Sequence, residues 1–231
     1  VPPTPAADPR RQEGQGSLQI AGSVTARTFT LCDSESLVEL LAVDRCELPL
    51  DVSTDGRTLL IRTLKASSPL FQAEASGRIG LPRDGSWQWA ESLIDDDFAV
   101  AADIDLTAAA RAIPGGLQVR PDVRITTGQI QIAAAAHADG SDRVLELRAT
   151  SRDIAAVQGE RQLRWNEPFT AWLRGRRGAA AGERLRIEEA RIASPAVEMS
   201  AAGTAESSTL QWTIDLDALV PALADVLDLR G

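Results

Sequence analysis

Apolar and polar residues alternate along most of this chain, and at two places the alternation gives way to a helical period. Each time it ends in the tripeptide Ile-Asp-Leu, at 104–106 and at 214–216. Beyond the tripeptide, apolar residues recur three or four positions apart, the spacing of one helix face. Thr107 and Asp217 stand where helix N-caps are expected. The pattern predicts, twice, a strand that runs directly into a short amphipathic helix. The alternating apolar positions are Phe98, Val100, Ala102, Ile104 and Leu106 in the first segment, and Leu210, Trp212, Ile214 and Leu216 in the second.

The residues upstream of the two tripeptides also correspond. Ser194-Pro195 lies 126 positions after Ser68-Pro69, and a glycine follows each Ser-Pro pair eight residues later. Arg164–Phe169 resembles Arg45–Leu50 at a shift of 119 positions, and the shift is 110 at Ile-Asp-Leu. Insertions and deletions in surface connections account for a changing shift. The sequence therefore predicts an internal duplication, although any two segments rich in β-strands align passably.

The predicted division of the chain follows from this duplication. We expect a disordered linker or tail over 1–15, one β-meander repeat over 16–116 and a second over 117–231, the two repeats forming one continuous structural domain. The predicted strands follow one another at hairpin distances, with turn signals at Asp55-Gly56 and Asp139-Gly140, so the sheet should be antiparallel.

An alternating antiparallel sheet has one apolar face that must be covered, and two short helices are too small to cover it. We therefore predict a mainly β fold: an antiparallel curved meander sheet, an open β-groove or half-barrel, built from two repeats that each end in a short amphipathic helix. A closed sandwich with a self-packed core remains the alternative.

Composition narrows the functional classes. The 231 residues carry a net charge of −9, which argues against a nucleic-acid-binding surface. Arg174-Gly175-Arg176-Arg177 is a dense positive run, interpreted as a solvated turn between strands, with contact to anionic lipid or polysaccharide as the lesser alternative. The sequence begins at Val1 without a signal-like region and has no apolar run long enough to cross a bilayer. We expect a segment of something longer, with any membrane anchor outside this fragment.

The residues that could carry chemistry are few. His137 is the single histidine, and no cysteine or second histidine lies at metal-ligand spacing from it. Asp95–Asp97 lacks the spacing of a calcium loop, and a solvated acidic loop explains it better. Asp103 and Asp105 share one strand face and could act as paired carboxylates, but facing water explains them equally well. We predict no catalytic residue, no metal and no cofactor.

Two further pairs leave alternatives open. Cys32 and Cys46 could form a disulfide in an oxidising compartment, yet the parity of their predicted strands opposes it unless a bulge intervenes. Trp87 and Trp89 share a parity and could form an aromatic platform for sugar, although core packing or edge capping is the simpler interpretation.

The repeated Ile-Asp-Leu with its helix, together with Arg164–Phe169 and Ala193–Gly203, resembles the AsmA-like and TamB-like group of bacterial envelope proteins over 16–231. The resemblance implies a periplasmic, extracytoplasmic location in a Gram-negative-type cell envelope. It also implies a non-enzymatic role in lipid transport and outer-membrane biogenesis, in which a β-groove binds or shields phospholipid acyl chains. That family usually begins with a membrane anchor, which this sequence lacks.

On that interpretation, small and apolar residues of the two repeats line the groove. The candidates are Phe71, Ala73, Ala75, Val100, Ile104, Val197, Met199, Ala201, Trp212 and Ile214. The alternative is a structural or adhesive extracytoplasmic β-module that packs this face on itself and binds no ligand, and a glycan-active enzyme using Asp103 or Asp105 is the least favoured.

Overall fold

A computed structural model describes residues 17–32, 39–81, 94, 96–112, 120, 122–165, 167–179, 185–204 and 207–220. The predicted tail over 1–15, Asp95, Trp87 and Trp89 lie outside these residues. The strands, numbered in chain order, are β1 (Leu18–Cys32), β2 (Glu39–Thr54), β3 (Thr58–Ser67), β4 (Phe71–Gly80), β5 (Asp97–Asp105), β6 (Val123–Asp139), β7 (Asp142–Gln158), β8 (Arg161–Trp165), β9 (Thr170–Arg177), β10 (Arg186–Ala193), β11 (Val197–Thr204) and β12 (Ser208–Ile214).

These twelve strands form one antiparallel sheet in which consecutive strands pair, except that β8 and β9 both pair with β7. The order is β1-β2-β3-β4-β5-β6-β7-β9-β10-β11-β12, with β8 paired to β7 beside this path. β1 and β12 stand at the two ends of the path, so the described sheet is open. The predicted mainly β, antiparallel meander is therefore confirmed.

β8 and β9 act as one interrupted strand against β7. Ile154 pairs with Trp165 on β8, and Thr150 pairs with Thr170 on β9. Between them, Ser151 N–H donates to the Phe169 carbonyl at 2.8 Å, and Phe169 N–H donates to Ser151 Oγ at 2.9 Å. Pro168 has no N–H to donate, and the interruption falls beside it.

A short helix follows β5, and a second begins after β12. The first is α1 (Leu106–Ala112); the second, α2, is described over 216–220. The predicted N-caps Thr107 and Asp217 are wrong, because the capping oxygen comes from the aspartate of each Ile-Asp-Leu. Asp105 Oδ1 accepts from Ala108 N–H at 2.9 Å, and Asp215 Oδ1 accepts from Ala218 N–H at 3.0 Å. Each helix thus begins directly where its strand ends.

Two five-strand segments pair in the same register. Ile61 pairs with Gly77 and Leu64 with Ala75, and each of these residues has a counterpart 126 positions later, since Ile187 pairs with Gly203 and Ala190 with Ala201. The matching pairs have a register shift at the same point. The pairings of β4 with β5 and of β11 with β12 agree likewise, as Phe71–Ile104 and Val197–Ile214 illustrate.

The strand before each matching pair corrects the sequence alignment. Leu50 pairs with Leu64, and Leu173 pairs with Ala190, the counterpart of Leu64. Leu50 therefore corresponds to Leu173, a shift of 123 positions, and the shift of 119 inferred from Arg45–Leu50 is wrong. Gly22 in β1 then corresponds to Leu147 in β7, because they pair with Leu50 and Leu173.

Unusual backbone conformations fall at matching positions too. Gly77 and Gly203 have φ of 125° and 134°. A Cβ on Gly77 would lie 2.2 Å from the Asp97 carbonyl oxygen, and one on Gly203 would lie 2.3 Å from that of Ser207. Only glycine fits such a close approach of two strands.

Candidate functional site

The sheet has one face built of apolar residues, because residues opposite each other on paired strands point to the same side. Two rows cross this apolar face from β1 to β12. The first is Gly22, Leu50, Leu64, Ala75, Val100, Ala134, Leu147, Leu173, Ala190, Ala201 and Leu210. The second is Val24, Leu48, Ala66, Ala73, Ala102, Ile132, Ala149, Ala171, Ile192, Met199 and Trp212.

Large side chains on this face are exposed to solvent. Val100 and Leu147, near the middle of the sheet, are each 38% exposed. Exposure is greater on the end strands, at 56% for Val24, 58% for Leu210 and 63% for Trp212. A broad apolar surface left open in this way is typical of a face that binds another apolar partner.

All ten residues predicted to line the groove lie on the apolar face. Six of them belong to the two rows: Ala75, Val100 and Ala201 to the first, and Ala73, Met199 and Trp212 to the second. Phe71 and Ile104 pair with each other further along β4 and β5, and Val197 and Ile214 do the same on β11 and β12.

None of the ten candidates belongs to β1, β2, β3, β6, β7, β9 or β10, although all of these strands contribute to the apolar face. The signal for Leu50, Leu64, Ile132, Leu147 and Leu173 was the same alternation, extended through each hairpin. Reading it required the register of every hairpin, which the turns alone do not fix.

A compact cluster closes one end of this surface. Val43, Leu70 and Ala109 are buried together, with Phe71, Ile104 and other partly buried residues against them. Ala109 belongs to α1, so the first helix packs against β2, β5 and β6 beside this cluster. Its contribution is local, because a helix of 7 residues spans only about 10 Å.

The opposite, polar face carries a depression of about 600 Å³. Its floor consists of alanines on β5 and β6: Ala99, Ala101, Ala133 and Ala135. Charged side chains border it, among them Lys65, Glu74, Glu146 and Arg148. The Arg148 guanidinium lies 4.3 Å from the centre of the Trp172 ring, a cation–π contact. This depression offers charges around a small apolar floor, unlike the continuous apolar face.

Arg143 of β7 binds residues at and just before the start of β5. Arg143 Nε donates to the Ile94 carbonyl at 3.0 Å, its Nη1 to Asp97 Oδ1 at 3.0 Å and its Nη2 to the Asp96 carbonyl. Asp96 Oδ1 accepts from Gly80 N–H at 2.8 Å, while its other oxygen is buried without a partner. Burial raises the pKa of Asp96, although the Gly80 hydrogen bond and Arg143 oppose the rise. These contacts give Asp96 and Asp97 a structural role.

The other candidate residues do not assemble into a reactive site. Asp103 accepts a hydrogen bond from Gln131 Nε2 at 2.8 Å, and Asp105 caps α1. His137 is exposed near the end of β6. Among the described residues, no three His, Cys, Asp or Glu side chains come together as a ligand set for a metal ion.

The arginine run lies on strand β9, so its interpretation as a turn is wrong. Arg176 forms ion pairs with Asp139 at 2.9 Å, with Asp142 at 3.2 Å and with Glu188 at 2.8 Å. These three carboxylates raise the pKa of Arg176. Arg174 pairs with Glu146 and Glu188. Carboxylates of the same sheet therefore balance much of this positive charge.

Cys46 is a free thiol. It pairs with Ala26, whereas Cys32 pairs with Glu39 near the other end of the β1–β2 hairpin. The two cysteines are thus several residue pairs apart along one ladder, too far for a disulfide.

None of the helices among the described residues has the length and hydrophobicity needed to span a membrane. Comparison with known protein families, with characterised proteins and with solved structures gave no significant match. The functional argument therefore rests on the geometry of the two faces.

Proposed function

We propose that this chain is a non-enzymatic segment of a cell-envelope protein, similar to the AsmA-like group, that binds or shields lipid acyl chains on its apolar face. The observation that carries the proposal is the pair of apolar rows: each strand on the path from β1 to β12 contributes an apolar side chain to both, except that β1 contributes Gly22 to the first. The apolar face would be the inner surface of an open groove.

The energetics of acyl-chain burial favour this face over the polar one. Each methylene that leaves water gains about 0.8 kcal/mol, and the gain needs no particular hydrogen-bond geometry. Paired strands lie about 4.8 Å apart, so eleven strands extend the apolar rows over roughly 48 Å. The central strands carry small residues such as Ala73, Ala75 and Ala134, which leave room for a chain above them. Charged groups surround the depression on the polar face, and an acyl chain there would desolvate them.

We further propose that the chain arose by duplication of a five-strand unit with a terminal helix. The matched registers, the glycines at 77 and 203, and the caps at Asp105 and Asp215 support this interpretation. So do Thr28 and Asp153, non-glycine residues with φ of 53° and 52° at corresponding positions of β1 and β7. A repeated unit extends a groove without changing its cross-section, which suits a lipid-carrying surface.

The location that goes with this proposal is the periplasm, and the role is lipid transport or outer-membrane maintenance. The proposed partner is phospholipid through its acyl chains, with no nucleic acid and no cofactor. The non-enzymatic assignment is supported by the structural hydrogen bonds that the candidate aspartates make: Asp105 caps a helix, and Asp96 accepts from the Gly80 amide.

The test uses two variants that differ only in the face they alter. Ala101 and Ala102 are adjacent on β5, both partly buried, and point to opposite sides. Ala102→Lys places a charge on the apolar face opposite Ala73, whereas Ala101→Lys places it opposite Glu74. Delipidated protein is titrated with a fluorescent fatty acid and with phospholipid, and the phospholipid that co-purifies is identified by mass spectrometry.

We expect the wild-type protein and Ala101→Lys to bind, and Ala102→Lys to bind at least about tenfold more weakly, because a charge would be buried under the chain. Unfolding curves of both variants check that the fold is retained. A wild-type protein that takes up neither probe would contradict lipid binding and favour the structural or adhesive module with a self-packed face.

A further inference from the structure

The free edge of β12 and the start of α2 expose residues whose counterparts are covered. Leu216 and Val220 are 63% and 55% exposed. Leu106, which occupies the position of Leu216 after the first Ile-Asp, is partly buried. Among the described residues, the end of β12 is therefore left uncovered where the end of β5 is covered.

Strand β6 is what covers the corresponding edge. It pairs with β5 from Asp105–Gln129 to Phe98–Ala136 without a register shift. Immediately before this ladder lies Gly128, which is buried beneath Leu106. A Cβ added to Gly128 would approach Leu106 Cδ1 to 2.9 Å, so the glycine lets the strand pass under the leucine.

We propose that the free edge of β12 is a docking site for one antiparallel strand with the pattern of β6. Such a strand has a glycine beneath Leu216, followed by residues that alternate between an aliphatic or alanine side chain and a small or polar one. Transferring the β5–β6 register places its counterpart of Gln131 opposite Thr213 and its counterpart of Ala135 opposite Thr209. The docked strand would extend both apolar rows beyond Leu210 and Trp212. The proposal concerns protein recognition and holds whether or not lipid binds.

A second copy of the chain does not supply such a strand. Its own β6 lies inside the sheet. Among the described strands, β1, β8 and β12 each pair with a single neighbour, and β8 (RQLRW) lacks the glycine that the β6 pattern requires. The free edge of β1 corresponds to the edge of β7 that β6 occupies, so β1 also lacks a β6-type neighbour. In the meander β1 and β12 run in the same direction, and laying copies side by side would pair them in parallel, unlike every pairing in this sheet. Two copies related by a twofold axis would pair β12 with β12 antiparallel, but β12 (STLQWTI) has no glycine to lie beneath Leu216. The fitting partner is therefore a β6-type strand other than those described in this chain.

The probe is a synthetic peptide with the sequence Val123–Asp139, the β6 of this chain, added to the intact protein. Binding is followed by fluorescence anisotropy of the labelled peptide. A matched peptide carries Gly128→Leu, which should collide with Leu216 as the local geometry at Leu106 indicates. We expect the substituted peptide to bind at least tenfold more weakly.

The register is tested by disulfide trapping in protein whose own cysteines are replaced. Thr213→Cys should trap a peptide carrying Gln131→Cys in preference to one carrying Ala135→Cys, and Thr209→Cys should show the reverse preference. Trapping in this register, together with the Gly128→Leu effect, supports the proposal. Absence of peptide binding, trapping without register preference, equal binding of the Gly128→Leu peptide, or a protein dimer linked through Thr213→Cys would overturn it.

Discussion

The two glycines with matching surroundings give the sharpest stability prediction. Gly77→Ala and Gly203→Ala would each place a methyl group against the neighbouring strand. In the first, the new Cβ lies 2.2 Å from the Asp97 carbonyl oxygen and 2.4 Å from Phe98 Cα. In the second, it lies 2.3 Å from the Ser207 carbonyl oxygen and 2.6 Å from Ser208 Cα. Both contacts are with backbone, so they are relieved only by moving a strand.

The expected cost has two parts. A non-glycine residue held in a sparsely populated backbone region costs about 1–3 kcal/mol. Inserting a methyl group where no space exists costs about 1–3 kcal/mol more through displaced backbone. Gly77→Ala should therefore lower the free energy of unfolding by roughly 2–6 kcal/mol. Gly203→Ala should fall in the lower part of that range, because β12 is an end strand that can shift.

Two control variants separate these parts. Gly140 has φ of 65° and nothing within 4 Å of an added Cβ, so Gly140→Ala measures backbone strain alone. Gly22 lies in the first apolar row with equally open space, and Gly22→Ala should be neutral or stabilising by about 0.5–1 kcal/mol. Equilibrium urea unfolding gives the midpoint and the slope for all four. If Gly77→Ala costs no more than Gly140→Ala, the close approach of β4 and β5 is wrong.

Three further outcomes are expected. Asp105→Ala should lower the free energy of unfolding by about 1 kcal/mol through loss of the α1 cap, whereas Thr107→Ala should change it little; equal effects in thermal unfolding would contradict the assignment. Because burial raises the pKa of Asp96 above its usual 3.8, the stability it contributes is present at acid pH and is lost as pH rises through the raised pKa. The free energy of unfolding of Asp96→Asn, measured in urea, should therefore rise relative to that of the wild type from acid to neutral pH. A difference between the two proteins that does not change with pH would refute this. Two free thiols per chain should react with a thiol-specific reagent in denatured, unreduced protein, because Cys32 and Cys46 pair with other residues. Finding no reactive thiol would show that the two cysteines form a disulfide.

The alternation of apolar and polar residues predicted the strands and helices well, because it depends only on residues that are close in sequence. The strand that ends at Asp105 and its following helix are visible in the switch from period two to a helical spacing. The cap was misplaced by two residues, since Leu106 fits both the last strand position and the first helical one. Only the hydrogen bonds from Thr107 and Ala108 to Asp105 decide between them.

Features set by pairing over long distances were harder to predict. Arg164–Phe169 resembles Arg45–Leu50 in amino-acid sequence, yet the strand pairing aligns Leu50 with Leu173. The resemblance failed because Phe169 lies in the interruption between β8 and β9, where hydrogen bonds to Ser151 replace regular pairing. Likewise, Arg176 sits on a strand among Asp139, Asp142 and Glu188, and nothing near it in sequence announces these partners.

The apolar face could be predicted only in part from the sequence. Its ten predicted residues follow from period two on β4, β5, β11 and β12. Its full width follows only when every hairpin register is known, because a slip of one residue would turn a whole strand over.

Photo-crosslinking with a phospholipid that carries a diazirine on its acyl chain tests lipid binding most directly. Adducts mapped by mass spectrometry should fall on the apolar face, for example at Ala73, Ala102, Leu147 and Met199, and excess unlabelled phospholipid should compete them away. Adducts concentrated around the alanine floor of the polar face, or none that competitor removes, would contradict the account.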